Sequence, residues 1–430
     1  MNRFFVSRRA FLGGLGAGAA HLALRADALA IVLPDEPLAG TVLGLRDHWN
    51  DAPAIAAGES GSLIVAWVAY RNHDEEIHVA RWDRASPCAL EQLSGVAGRD
   101  FGPAVAAAPG RGFWVVWTGE REGQWRILGR QFTDGRWRPE VRISAGDEAC
   151  WHAALAADAR GPYVAWERLT RSGPEIWSSR ATPEGWEEGR RVAAGSNPSL
   201  AVDPAGRPWM AWQVAEGSRY EVHASRLDGG LWSWPERVAF GRSHYRRPSL
   251  AVSPGGTVWV TCEGLVPTRS TADAERQYRF DDMCYLLPLS ACTYWRGGSG
   301  WQPAPVDPSE RQAYLPRVVC DERRTWLIYY QREQEKFRAL ATALEDNGWR
   351  ATHDFSAAAG FGRKLPLAGI LRDGALWVAV QSDDRTRVDD PVWTIPDAPS
   401  RITLCSVRTL PDQPATTPPG LEWCSKIRVV

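Results

Sequence analysis

One pattern recurs seven times along the chain. A proline or its substitute opens an alternating apolar segment, a small Gly-containing turn follows, and a second apolar segment ends in Trp or an equivalent. The first anchor falls at Pro53, Pro103, Ala153, Pro198, Pro248, Pro316 and Pro366, in steps of 50, 50, 45, 50, 68 and 50 residues. The second falls at Trp67, Trp117, Trp166, Trp212, Cys262, Tyr330 and Val380, in steps of 50, 49, 46, 50, 68 and 50. Two anchors that keep step define a structural repeat, not a chance of composition. Each unit continues into a third strand-like segment (Trp125–Arg130, Glu221–Arg226) and then a Gly-Trp turn, as in Gly135-Arg136-Trp137, Gly185-Trp186, Gly300-Trp301 and Gly348-Trp349. Helical periodicity is nearly absent. Four short strands in each unit of about fifty residues predict an all-β, seven-bladed β-propeller of four-stranded antiparallel blades, with a six- or eight-bladed ring as the alternative. On this reading the many tryptophans, 23 in all, pack between blades. The ring closes either through 41–47 or through 421–430, each of which reads as the missing fourth strand of the last blade.

In such a blade the first strand starts, and the second ends, on the same face. Residues before each proline and just after each second anchor therefore ring one channel mouth. Before the prolines stand His48, Trp49, Asn50, Asp100, Trp151, His152, Asn197, His244, Tyr245, Arg246, Arg247, Tyr314, Arg363 and Lys364. After the second anchors stand Thr118, Glu167, Gln213, Glu263, Gln331 and Gln381, with Val68 the exception. Two long insertions, 264–282 and 382–400, open on this face, and loops concentrated on one face of a repeat fold mark a binding face.

The densest chemistry is His244-Tyr245-Arg246-Arg247. Arginine offers a planar fork to a carboxylate. Histidine or tyrosine can move protons or act as nucleophile. The expected catalytic set is His244, Tyr245, Arg246, Glu263, His152 and Tyr314. Arg247, Trp151, Glu167, Gln213, Gln331, Gln381, Lys364 and His48 are the expected substrate contacts. Arg246 and Glu263 could equally pair with each other to satisfy their own charges. No cofactor is expected. His48, His152 and His244 come from different blades and offer a divalent-metal alternative, without any close-spaced ligand pair. The histidines at 73, 78, 223 and 353 read as surface residues.

The stretch Tyr245-Arg246-Arg247-Pro248-Ser-Leu-Ala-Val with Gly256-Thr257 and Glu263-Gly264 resembles the Tyr-Arg-Ile-Pro segment of sialidases and their bacterial neuraminidase repeat relatives. The turns Thr133-Asp134-Gly135-Arg136-Trp137 and Asp346-Asn347-Gly348-Trp349 resemble worn Asp-boxes of that superfamily. The resemblance implies a propeller and a carbohydrate-active role, with Arg246 in the place of the first arginine that grips a substrate carboxylate. Seven-bladed polysaccharide lyases offer a fold-level analogy, in which Arg neutralises a uronate carboxylate and Tyr or His moves the proton. The expected function is an exported glycoside hydrolase or polysaccharide lyase acting on an acidic glycan at the mouth. A non-catalytic glycan- or protein-binding propeller is the alternative.

Ser7-Arg8-Arg9-Ala10-Phe11-Leu12, the weakly apolar stretch Gly13–Ala20 and Ala28-Leu29-Ala30 resemble a twin-arginine export signal over 1–30, leaving 31–430 as one domain. Periplasmic or secreted location follows, with no membrane anchor after processing. A formal charge of −1 disfavours nucleic-acid partners. A polysaccharide or other small polar ligand and a monomer are expected instead. None of the eight cysteines forms a CxxC pair. Most read as buried thiols, with Cys405–Cys424 the one bridge suggested by neighbouring positions.

Overall fold

A computed structural model describes residues 39–58, 61–72, 74–83, 86–95, 98–108, 112–217, 219–239, 244–265, 289–304, 313–321, 324–333, 336–345, 348–349, 352–359, 367–382 and 400–408. The expected export signal, Lys364, Cys424 and nearly all of both insertions lie outside these residues.

The strands form seven antiparallel sheets of four strands each, the outermost strand being split into two short pieces in the second, third, fourth and sixth blades. The innermost strands are Trp49–Ala57, Asp100–Ala108, Cys150–Asp158, Ser196–Val202, Tyr245–Val252, Ala313–Cys320 and Ala368–Arg372. Each packs against the innermost strand of the next blade, and the last packs against the first, so the blades form a closed propeller. The only described helix is the single turn Ser356–Ala359. Closure is made from the N-terminal side. Thr41–Leu43 pairs with Arg401–Arg408 as fourth strand of the seventh blade, and the Gly40 N–H reaches the Leu404 carbonyl at 2.7 Å. Closing the circle covers strands that would otherwise be open edges.

The second-strand anchors form the core. Trp67, Trp117, Trp166, Trp212, Cys262, Tyr330 and Val380 are all fully buried, because each faces a sheet of the neighbouring blade. A buried indole N–H needs an acceptor. Trp67 donates to Asn50 Oδ1 and Trp117 to Asp100 Oδ1, both at 3.1 Å, so 50-residue steps in the donor and the acceptor coincide. Trp212 donates to the Ala194 carbonyl, and the adjacent Gly195 is required there: a Cβ would sit 2.4 Å from the indole. Asp100 also binds Arg121 at 2.8 Å. Its pKa is raised because burial outweighs the Arg121 and Trp117 hydrogen bonds.

His78 departs from its expected surface position. It is 5 % exposed, stacks on Trp67 and bonds Glu76 at 3.1 Å. His223 and His353 lie beside Trp212 and Trp326 as tilted pairs, with ring centroids 6.4 and 6.0 Å apart. His78 and His223 sit on third strands directly opposite Trp67 and Trp212, and His353 sits on the outermost strand of the sixth blade.

Candidate functional site: bulges around the channel mouth

Each described innermost strand except the seventh carries a register shift near its start, falling between Asp51 and Ala54, Phe101 and Ala104, Trp151 and Ala154, Ser196 and Ser199, Arg246 and Ser249, and Tyr314 and Arg317. In each case the residue before the anchor has a left-handed backbone: Ala52, Gly102, His152, Asn197, Arg247 and Leu315, with φ between 48° and 61°. Non-glycine residues adopt this region at a cost of about 1–3 kcal/mol, and a following proline normally drives its predecessor to extended geometry. Six repetitions of one disfavoured conformation identify a built-in bulge. Its effect is to turn the left-handed residue toward the channel.

The cavity so formed has a volume of about 620 Å³, within the range of small-ligand pockets. Its wall is asymmetric. The third to sixth blades contribute His152, Asn197, Arg247 and Arg317, whereas the seventh, first and second contribute Leu367, Gly369, Ala52, Ile55, Gly102 and Val105.

Side chains at the ends of the second strands hold these bulges. Glu167 Oε2 accepts the Asn197 N–H at 3.3 Å, Gln213 Oε1 the Arg247 N–H at 3.1 Å and Glu263 Oε1 the Leu315 N–H at 3.0 Å. Each clamp belongs to one blade and the bulge to the next, so the recurrent Glu/Gln position joins the third, fourth, fifth and sixth blades. Thr118 Oγ1 and both Gln381 amide atoms are buried and make no such bond among the described residues. The clamps thus coincide with the polar arc.

Two clamps also hold side chains of the cavity wall. Glu167 Oε2 lies 2.9 Å from His152 Nδ1, and the His152 side chain is 54 % exposed. Donation from Nδ1 to a carboxylate sets the tautomer whose lone pair is on Nε2. Glu263, wholly buried, accepts Arg247 Nη1 at 2.8 Å through its second oxygen.

None of the other expected residues that are described is among those lining this cavity. Arg246 is 4 % exposed with its guanidinium 5.3 Å from the Tyr220 ring centroid in the fourth blade, while Arg247 forms an ion pair with Glu263. Neighbours on a strand point to opposite sides, and the bulge sends Arg247 inward while Arg246 wedges between blades. Trp151 takes the equivalent wedge position, 4.6 Å from Trp125 and 5.6 Å from Phe101. Tyr245 is buried against Tyr294, whose pKa burial drives far upward. Tyr314 is wholly buried against Phe337, and His244 is 1 % exposed. His48 sits on the loop before the first blade, its Nδ1 2.7 Å from the Arg46 carbonyl. Gln331 is half-buried at the end of its strand, and Gln381 is wholly buried. Among the described residues no group of three His, Cys, Asp or Glu is placed to hold a metal ion.

Arg317 is the wall residue that the repeat analysis overlooks. It follows the sixth proline at the position held by Ala54, Ala104, Ala154, Ser199, Ser249 and Leu367 in the other blades. A lone charge at a repeat position otherwise small or apolar is the signal that would have found it.

Comparison with family models and with curated proteins gives no match. Among solved structures, the chain is similar to an ulvan lyase of a polysaccharide lyase family bound to -[GlcA(1-4)Rha3S]-, at 8% identity and a TM-score of 0.57, covering 86% of this chain and 96% of that one. It is similar also to the polysaccharide lyase Uly1, at 8% identity and a TM-score of 0.53, covering 85% and 91%. Similarity to a Trypanosoma rangeli sialidase is lower, with 10% identity, a TM-score of 0.44 and coverage of 74% and 55%. At these identities the likeness extends to the propeller fold.

Proposed function

We propose that the protein is an exported, lyase-type carbohydrate-active enzyme that takes an anionic glycan into the channel mouth. The observation that carries this reading is the juxtaposition, on one half of one cavity wall, of an arginine arc and an imidazole seated on a carboxylate. Arg247, steadied by Glu263, would face the carboxylate of a uronate residue. Neutralising that carboxylate makes the proton on the adjacent ring carbon acidic. His152 Nε2 would accept that proton while Glu167 stabilises the imidazolium. The electron pair forms the C4–C5 double bond, the C4–oxygen bond breaks, and the imidazolium returns the proton to the departing oxygen. The polysaccharide lyases of like fold, one of them an ulvan lyase with a glucuronate-containing ligand, support the choice of elimination over hydrolysis.

Purified protein lacking residues 1–30, incubated with a panel of uronate-containing polysaccharides, tests the reading. Elimination yields equal amounts of new reducing ends and of an ultraviolet-absorbing unsaturated product, and His152→Ala abolishes both. Reducing ends without absorbance would replace elimination by hydrolysis. No product, with binding retained by Arg247→Ala, would discard the proposal in favour of a binding propeller without chemistry at this mouth.

A further inference from the structure

The position after the bulge proline normally joins blades or fills space. Ser199 Oγ accepts the Leu250 N–H at 3.0 Å, Ser249 Oγ accepts the Val318 N–H at 3.2 Å, and alanine stands there in the first three blades. Arg317 does neither. It lines the channel half-buried, and makes no hydrogen bond or ion pair with any described residue. Its nearest acidic influence is Glu263, whose two oxygens are already engaged by the Leu315 N–H and by Arg247. Burial lowers the Arg317 pKa, Glu263 opposes that, and Arg247 adds to it. A guanidinium placed in a confined cavity without a counter-ion among the described residues costs stability, and a small residue at the same position in five other blades shows that the fold does not need it.

We propose that Arg317 and Arg247 together form an oxyanion site inside the channel, which holds a carboxylate or sulfate group of the ligand. This deepens the glycan reading and rests on it for the sugar, while the anion site stands by itself. Guanidinium groups match such oxyanions by paired, parallel hydrogen bonds. Among the described residues, two arginines against the one carboxylate of Glu263 leave one positive charge for the ligand to meet.

Arg317→Ala is the informative variant because alanine is the residue of three other blades at this position. Thermal unfolding is followed for the mature protein and the variant in sodium sulfate, sodium glucuronate and sodium chloride at equal ionic strength. Sulfate or glucuronate should raise the melting temperature of the parent by about 2 °C or more over chloride. The variant should show no such shift, and should melt at or above the parent in chloride. A response to sulfate alone identifies a sulfate ester as the group held, and a response to glucuronate alone a carboxylate. Equal shifts in both proteins, no shift in the parent, or a variant that melts well below it in chloride would overturn the site. An Arg317-dependent anion shift with no polysaccharide turned over would leave this inference standing and remove the proposed reaction. Turnover without an anion shift would do the reverse.

Discussion

Glu263 and Arg247 face each other from adjacent strands of the fifth blade and meet in an ion pair of 2.8 Å, with the carboxylate wholly buried. The same carboxylate takes the Leu315 N–H of the next blade. Removing it takes a buried carboxylate from Arg247 and opens a bulge at once. Glu263→Ala should therefore destabilise the protein by about 3–5 kcal/mol. Glu263→Gln keeps an acceptor for Leu315, as Gln213 does for Arg247, and should cost less. Chemical denaturation of the two variants measures the difference.

His152 pays for its place with a left-handed backbone, whereas the second blade has Gly102 there. His152→Gly relieves that conformation and removes an exposed side chain. Its stability should lie within about 1 kcal/mol of the parent while turnover of glycan is lost. Parallel unfolding and activity measurements check this; an unfolded variant would show that His152 serves the ring, not the reaction.

Asp203 closes the turn between the first two strands of the fourth blade. Its Oδ1 accepts the Ala205 and Arg207 N–H groups at 2.9 Å, and Oδ2 accepts Arg207 Nε at 2.8 Å. Burial pushes its pKa up, but the Arg207 hydrogen bonds and charge outweigh burial, and the pKa falls below the ordinary 3.8. The stability it contributes is thus present above about pH 3.8 and is lost as pH falls through the lower folded value. Unfolding curves from pH 6 to about pH 2 should converge for the parent and Asp203→Asn at the acid end, and separate in favour of the parent above it.

Ring closure gives a prediction for each terminus. Leu43 is 1 % exposed within a cluster that includes Trp67, Ile402 and Leu404. Deleting residues through Leu45 should cost more than the about 2–5 kcal/mol of a single buried leucine truncation. Deleting 421–430 should leave the melting temperature unchanged, because Thr41–Leu43 already fills the slot beside Arg401–Arg408.

The blade count was legible because its signal is collective: buried anchors recur in step, and one ambiguous residue does not shift the period. The facing of single residues was not. An inserted bulge residue reverses which neighbour looks into the channel, so Arg246 reads as the gripping arginine while the fold turns Arg247 inward. Strand alternation carries no mark of that reversal; only the repeated position before proline does, once its backbone is known. The Glu/Gln column was visible as a pattern, but its reach across blades depends on how far one sheet lies from the next. Tyr245 and Tyr314 look reactive by type and are buried by position.

Cavity wall and scaffold occupy different columns of the repeat. The left-handed site varies among Ala, Gly, His, Asn, Arg and Leu, and in the fourth, fifth and sixth blades the group that braces it is carried by the preceding sheet. Descendants of such a chain could exchange one wall chemistry for another by point substitution, with the architecture left intact, as type is reset in a fixed frame.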